Sequence, residues 1–213
     1  MDHALFGSSN LAIAYAAYVV GTASPGPSNL AIMAVAMHSG RRAALVLALG
    51  VVCGSAFWGM LAAFGLSGLL ATWSGLLVAL KLAGGAYLSY LALRSARSAL
   101  RPPPPAEARE LVRGDGAKLF ARGAAMHLTN PKAIFVWLSI VALALPAGAS
   151  AWDALTIVLG CVPLGLAVFG GYAIAFSTAV ARRVYARTRR GFDAALAAVF
   201  GYAAWRALST RVG

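Results

Sequence analysis

Apolar residues run in long unbroken blocks near 11–33, 43–66, 69–93, 123–145, 154–180 and 194–210, parted by short polar stretches. A membrane-crossing helix needs about 20 mainly apolar residues, so the pattern predicts six spans, the last of them short and carrying Arg206 near its end. The blocks are continuous and do not alternate, which excludes a transmembrane β-barrel. The expected fold class is an all-α integral membrane protein. Four consecutive prolines, Pro102 to Pro105, stand in the segment 94–122. Such a run favours extended polyproline II geometry, and it reads as a stiff linker between halves 1–93 and 123–213 of one transmembrane domain, 1–213. Three spans per half make the halves antiparallel, so homologous halves form an inverted repeat. The ends of the third and sixth spans, Ala86–Leu93 and Gly201–Leu208, repeat Tyr, an aromatic, Ala and Leu in register. The first span of each half carries a proline break in mid-membrane.

Composition agrees. Hydrophobic residues make up 61% of the 213 and charged ones 11%, against about 25% charged in soluble proteins; the mean hydropathy is +0.77. A soluble globule, a disordered chain and a disulfide scaffold are excluded by the same values. Bases outnumber acids 18 to 6. Fourteen of the 18 bases lie in the segments 34–42, 94–122 and 181–193. The positive-inside rule puts those alternate segments in the cytoplasm and both termini outside. Short basic blocks between apolar runs read as membrane orientation, so no nucleic-acid partner is expected. The N-terminus carries Asp2 and no base, unlike the basic start of a cleaved signal. Cys53 and Cys161 lie inside apolar runs without CxxC spacing or histidine companions, so neither a metal site nor a cofactor is expected.

Candidate chemistry sits at the two breaks. The first span holds Ser24-Pro25-Gly26-Pro27-Ser28-Asn29. Proline removes a backbone donor and clashes with the preceding turn, and irregular backbone at that depth survives only when buried or lining a wet cavity. Ser24 is expected to cap a new half-helix with Pro25 at its first position. The fourth span holds Thr129-Asn130-Pro131-Lys132, again a cap followed by proline. The two new half-helices run in opposite directions, so their N-termini should meet near the midplane. Each carries a partial positive charge, which suits a carboxylate. Lys132 in a first turn is unfavourable unless an anion joins it. Lys81, central in the third span, costs roughly 2.5–3.5 kcal/mol on insertion scales. No acid lies within any of the six spans. His127 is a proton-carrying candidate, though its place one turn inside the span also fits an interfacial residue. Gly84 and Gly85 share a face with Lys81 and suit close helix packing. Tyr87, Tyr90 and Trp205 suit interface anchors.

Several of these stretches resemble the LysE/RhtB-type amino-acid exporters. Ser24–Asn29 followed by Gly40-Arg41-Arg42 and Gly50 is similar to that family's PGPN…G-x-R…G pattern. Lys81 to Leu88 is similar to its K-x-x-G-x-x-Y-L stretch, and Leu128 to Ala133 to its NLxNPKA motif. The sequence departs at Ser28 and His127, where asparagine is usual in both places. The resemblance implies six spans, a bacterial-type inner membrane and efflux of amino acids driven by the proton gradient. From the two breaks and the two lysines, substrate contacts are expected at Ser24, Pro25, Gly26, Pro27, Ser28, Asn29, Lys81, Thr129, Asn130, Pro131 and Lys132. The chain is expected to be a transporter and not an enzyme, and a second copy of it stays open as a partner. The missing intramembrane acid points to neutral amino acids. A CcdA-like thiol-disulfide carrier, which also has six spans and two membrane cysteines, is the alternative. Its cysteines are typically flanked by prolines in the first span of each half, and here the prolines at the breaks have no cysteine beside them.

Overall fold

The computed structural model describes residues 8–24, 26–72, 115–144 and 151–209, together with 82, 86, 89, 90, 92, 93 and 95–100. Pro25, Lys81, Gly84, Gly85, Tyr87 and the run Pro102–Pro105 lie outside the described residues, as does most of the third span expected at 69–93. The helices are α1 (Ser8–Ala23), α2 (Pro27–Thr72), α3 (Gly116–Leu128), α4 (Pro131–Ala144), α5 (Ala151–Phe176) and α6 (Ala179–Ser209). No strand occurs among the described residues. The chain divides into two compact units, Met1–Ser67 with Ala108–Thr178, and Gly68–Glu107 with Ala179–Gly213.

In the first unit both expected breaks are present. α1 has 16 residues and α3 has 13, about 24 and 20 Å of helix. Each falls short of the roughly 30 Å hydrocarbon core, so each needs the half-helix that follows its break. α3 begins at Gly116 instead of near 123. Asp115, with extended backbone, caps it by accepting a 2.9 Å hydrogen bond from the Lys118 N–H.

The polar segment expected at 34–42 is almost wholly helical. Within α2 only Gly40 leaves helical geometry, at φ 83° and ψ 179°, a region where glycine has no Cβ penalty. The chain reverses there. His127 meets Ser28 on one side and Gly54 on the other, since a Cβ on Gly54 would stand 3.1 Å from the His127 Cβ. Along an unbroken helix those two α2 residues would lie about 39 Å apart. The two arms bury Ile32 and Val35 against Leu47 and Val51, with Phe169 of α5 in the same cluster.

Glycines set the closest approaches. A Cβ at Gly50 would strike the Phe120 carbonyl oxygen, and one at Gly123 the Leu47 carbonyl oxygen, so α2 and α3 pack backbone to backbone. Gly59 meets the Trp137 ring, and Gly160 and Gly165 receive the Tyr15 and Tyr18 hydroxyls of α1. The stretches Pro27–Gly65 of α2 and Trp152–Phe176 of α5 are long and apolar enough to cross a bilayer. They expose Leu49, Phe57, Phe64 and Leu159 outward, side chains that suit contact with lipid tails.

In the second unit, α6 runs helically through 181–193, the stretch expected as a loop. Ala and Arg are good helix formers, so a basic composition ends the apolar span without ending the helix. Arg183, Arg187 and Arg190 are exposed along it. Asp193 is buried and accepts a 2.8 Å hydrogen bond from the Ser98 hydroxyl.

Candidate functional site

A helix that stops inside a membrane leaves four carbonyls without intrahelical partners, and these need other donors. At the end of α1 every one finds a donor. The Val20 carbonyl accepts from the Ser24 N–H at 3.0 Å and the Gly21 carbonyl from the Ser24 hydroxyl at 2.9 Å. Asn29 Nδ2 donates to the Thr22 carbonyl at 2.8 Å, and the Tyr172 hydroxyl to the Ala23 carbonyl at 2.7 Å. The next carbonyl, that of Ser24, takes a hydrogen bond from Lys132 Nζ. At the end of α3 the Thr129 hydroxyl donates to the Ala125 and Met126 carbonyls, the Asn130 N–H to that of His127, and Trp58 Nε1 to that of Leu128 at 3.1 Å.

The half-helix starts differ in how they are capped. Asn130 Oδ1 accepts from the Lys132 N–H at 3.1 Å, and the Asn130 carbonyl from the Ala133 N–H at 2.9 Å, so α4 starts from the cap expected. α2 does not start from Ser24 and Pro25. It starts at Pro27 with Gly26 in the cap position, the Gly26 carbonyl accepting from the Leu30 N–H at 3.0 Å. The physical reason is the second proline. A residue preceding proline is pushed out of the α region, so a helix begun at Pro25 could not pass Gly26. With a glycine cap, no described side chain caps the first N–H groups of α2, those of Ser28 and Asn29.

The two starts meet. Asn130 Nδ2 lies 3.4 Å from the Ser28 hydroxyl, which in turn pairs with His127 Nδ1 at 2.9 Å. Ser28 and His127 are the two positions where the sequence departs from the pattern it resembles, and they are bonded to each other. The interfacial place considered for His127 is overturned: it is buried, edge-on to the Phe169 ring at a centroid distance of 5.7 Å. Lys132 is also buried, and its ammonium needs no bound anion, because it lies against the C-terminal, negative end of α1.

Gly26, Ser28, Asn29, His127, Asn130 and Lys132 surround one cavity of about 20 Å³. Ser24, Pro27, Thr129 and Pro131 shape the breaks without lining it. Another part of the wall was not foreseen: Val136, Trp137, Phe169 and Ser55. Ser55 is the hub of that wall, accepting from Trp137 Nε1 at 3.0 Å and pairing with the Tyr18 hydroxyl at 3.2 Å. A lone serine in an apolar run carries little signal, which is why Ser55 went unmarked. The cavity admits about one water, too little for an amino acid. No acid and no metal-ligating cluster lines it among the described residues. Both cysteines are free; Cys161 is buried, whereas Cys53 is exposed and does not fill the core.

The family model of the LysE type translocator matches residues 19–211. The threonine efflux protein of Escherichia coli (strain K12) is 30% identical over 193 residues, covering 86% of this chain and 91% of that protein. The uncharacterized membrane protein YahN of the same organism is 29% identical, covering 89% and 84%. The chemotactic transduction protein ChpE of Pseudomonas aeruginosa (strain PAO1) is 37% identical over a shorter stretch, 60% of this chain and 62% of that one. No solved structure matches the chain.

Proposed function

This chain belongs to the LysE-type translocator family, and from that premise we propose that it is an inner-membrane secondary transporter exporting neutral amino acids in exchange for protons. The observation that carries the reading is the meeting of two half-helix N-termini at one cavity, whose lining includes a polar group, Ser28, Asn130 and Lys132, and an apolar group, Val136, Trp137 and Phe169. A substrate carboxylate takes the first group, where the N-terminus of α2 and the buried Lys132 concentrate positive potential. A small uncharged side chain takes the second. The absence of acids from the described lining leaves nothing to hold a cationic side chain. Related proteins named for threonine efflux support the same substrate class. His127, bonded to Ser28 at the carboxylate end, is the proton carrier. As six spans in an inverted repeat, the halves 1–93 and 123–213 suit an alternating-access carrier.

The decisive measurement is efflux from preloaded vesicles containing the purified protein. Threonine, serine and alanine should leave faster than lysine, arginine or glutamate, and collapse of the proton gradient should slow them. His127→Gln should export without responding to the gradient. Equal rates for lysine and threonine would end the neutral preference, and a gradient response retained by His127→Gln would remove the histidine from the coupling.

The charge distribution supports an orientation with both termini outside and the segment 181–193 in the cytoplasm. An impermeant thiol reagent should therefore miss Arg187→Cys in intact cells, in a background where Cys53 and Cys161 are serine, and label it after permeabilisation. Labelling before permeabilisation would reverse the orientation.

A further inference from the structure

We propose that the Lys132 ammonium is a tethered cation standing where other carriers with broken helices bind a dissociable metal cation, so that this exporter needs no alkali ion, and deletion of the amine creates a site for one. The proposal rests on the cavity being the substrate site.

Where a helix ends within a membrane its last carbonyls carry a concentrated partial negative charge. Carriers with discontinuous helices use such ends to coordinate sodium, beside N-termini that hold the substrate carboxylate. Both kinds of end are present here. The carbonyls of Gly21, Thr22 and Ala23 are met by neutral donors from Ser24, Asn29 and Tyr172. The Ser24 carbonyl is met by Lys132 Nζ, with Asn29 Nδ2 a further 3.4 Å contact. The approach is shaped for that charge. A Cβ on Gly26 would stand 3.0 Å from Lys132 Cδ and 3.3 Å from Nζ, so the glycine between the two prolines leaves the path by which the lysine stem crosses from α4 to the end of α1. An ammonium has three donors and no acceptor. One donor goes to Ser24, and Lys132 also lines the cavity. The same cation thus bridges the broken end of α1 and the place of the substrate carboxylate, as a bound sodium would. Being covalently held, it does not leave with the substrate and does not vary with the salt on either side.

The test uses the full-length protein in vesicles preloaded with threonine, with sodium, potassium or choline chloride on both sides. Wild-type efflux should be the same in all three. Lys132→Ala should lose about a hundredfold in choline, the scale for removing one partner of a buried charged contact. Sodium or methylammonium, small enough to reach the Ser24 carbonyl, should then restore about tenfold. A sodium requirement in the wild type would overturn the proposal, and that arm stands even if the variant inserts poorly. A well-inserted Lys132→Ala that exports normally in choline, or that no cation restores, would overturn it as well. Wild-type protein that exports no amino acid in any medium would instead sink the exporter reading beneath it.

Discussion

Gly123→Ala should part α2 from α3 and lower the stability of the protein by about 3 kcal/mol, the upper end of what overpacking costs. The upper end applies because the added methyl meets the Leu47 carbonyl oxygen, with the Leu47 carbonyl carbon and the Val51 nitrogen each at 3.1 Å. These are backbone atoms of a helix and cannot turn aside as a side chain would. The helix propensity gained from Gly to Ala, about 1 kcal/mol, offsets only part of this. Gly50→Ala should act alike, since its methyl would meet the Phe120 carbonyl oxygen and lie 2.9 Å from the Ala124 nitrogen. Both changes force one separation of one helix pair. The double variant should therefore lose clearly less than the two single losses added together. Thermal midpoints of the purified proteins in detergent give the comparison. A Gly123→Ala midpoint equal to that of the wild type would show that the helices are free to move apart, and strict additivity would show that the two glycines do not share a constraint.

Replacing Pro25, Gly26 and Pro27 with alanines should abolish export and substrate binding while the protein still inserts. Alanine is the best helix former, and α1 would run on into α2. In a continuous helix the Ala23 and Ser24 carbonyls are claimed by the N–H groups four residues on, those of positions 27 and 28. Tyr172 and Lys132 then lose their acceptors. The Ser28 and Asn29 N–H groups, the proposed anion-accepting end, are consumed by the same ladder. Removing two prolines from a helix path is favourable by roughly 3 kcal/mol each, but stranding a buried ammonium costs several kcal/mol. The net stability change is therefore small, and the loss falls on function. Pro131→Ala should be milder because Asn130 still caps α4. Binding of threonine to the purified variant, measured beside vesicle efflux, checks this. Normal binding and full efflux by the triple-alanine protein would mean that the break is a structural kink only.

Much of this site lies within a few residues of each break, which is why it could be read from the chain. Asn130 and Pro131 form a cap and a first turn from adjacent positions, a local arrangement. The first break went partly astray because Ser24-Pro25 and Gly26-Pro27 both look like helix starts, and only the restriction on the residue before proline separates them. The helical course through 34–42 and 181–193 was obscured by charge. Hydropathy reports where a helix meets lipid, not where it stops.

Long apolar runs, a strong excess of bases in alternate segments and prolines in mid-run were enough to identify a helical membrane protein with two interrupted helices. Those properties follow from transfer free energy and backbone geometry, which act on each segment independently of its neighbours. Which donor answers which carbonyl is another kind of fact. Ser28 and His127 pair across 99 positions, and Lys132 reaches Ser24 across 108. Each of these side chains has several chemically equivalent candidates in the sequence. Only the packing that Gly50, Gly54 and Gly123 permit between α2 and α3, together with the reversal at Gly40, selects among them. The role of Lys132 changed most for this reason: in the sequence it is a cation at the wrong end of its own helix, and in the folded protein it lies at the right end of another.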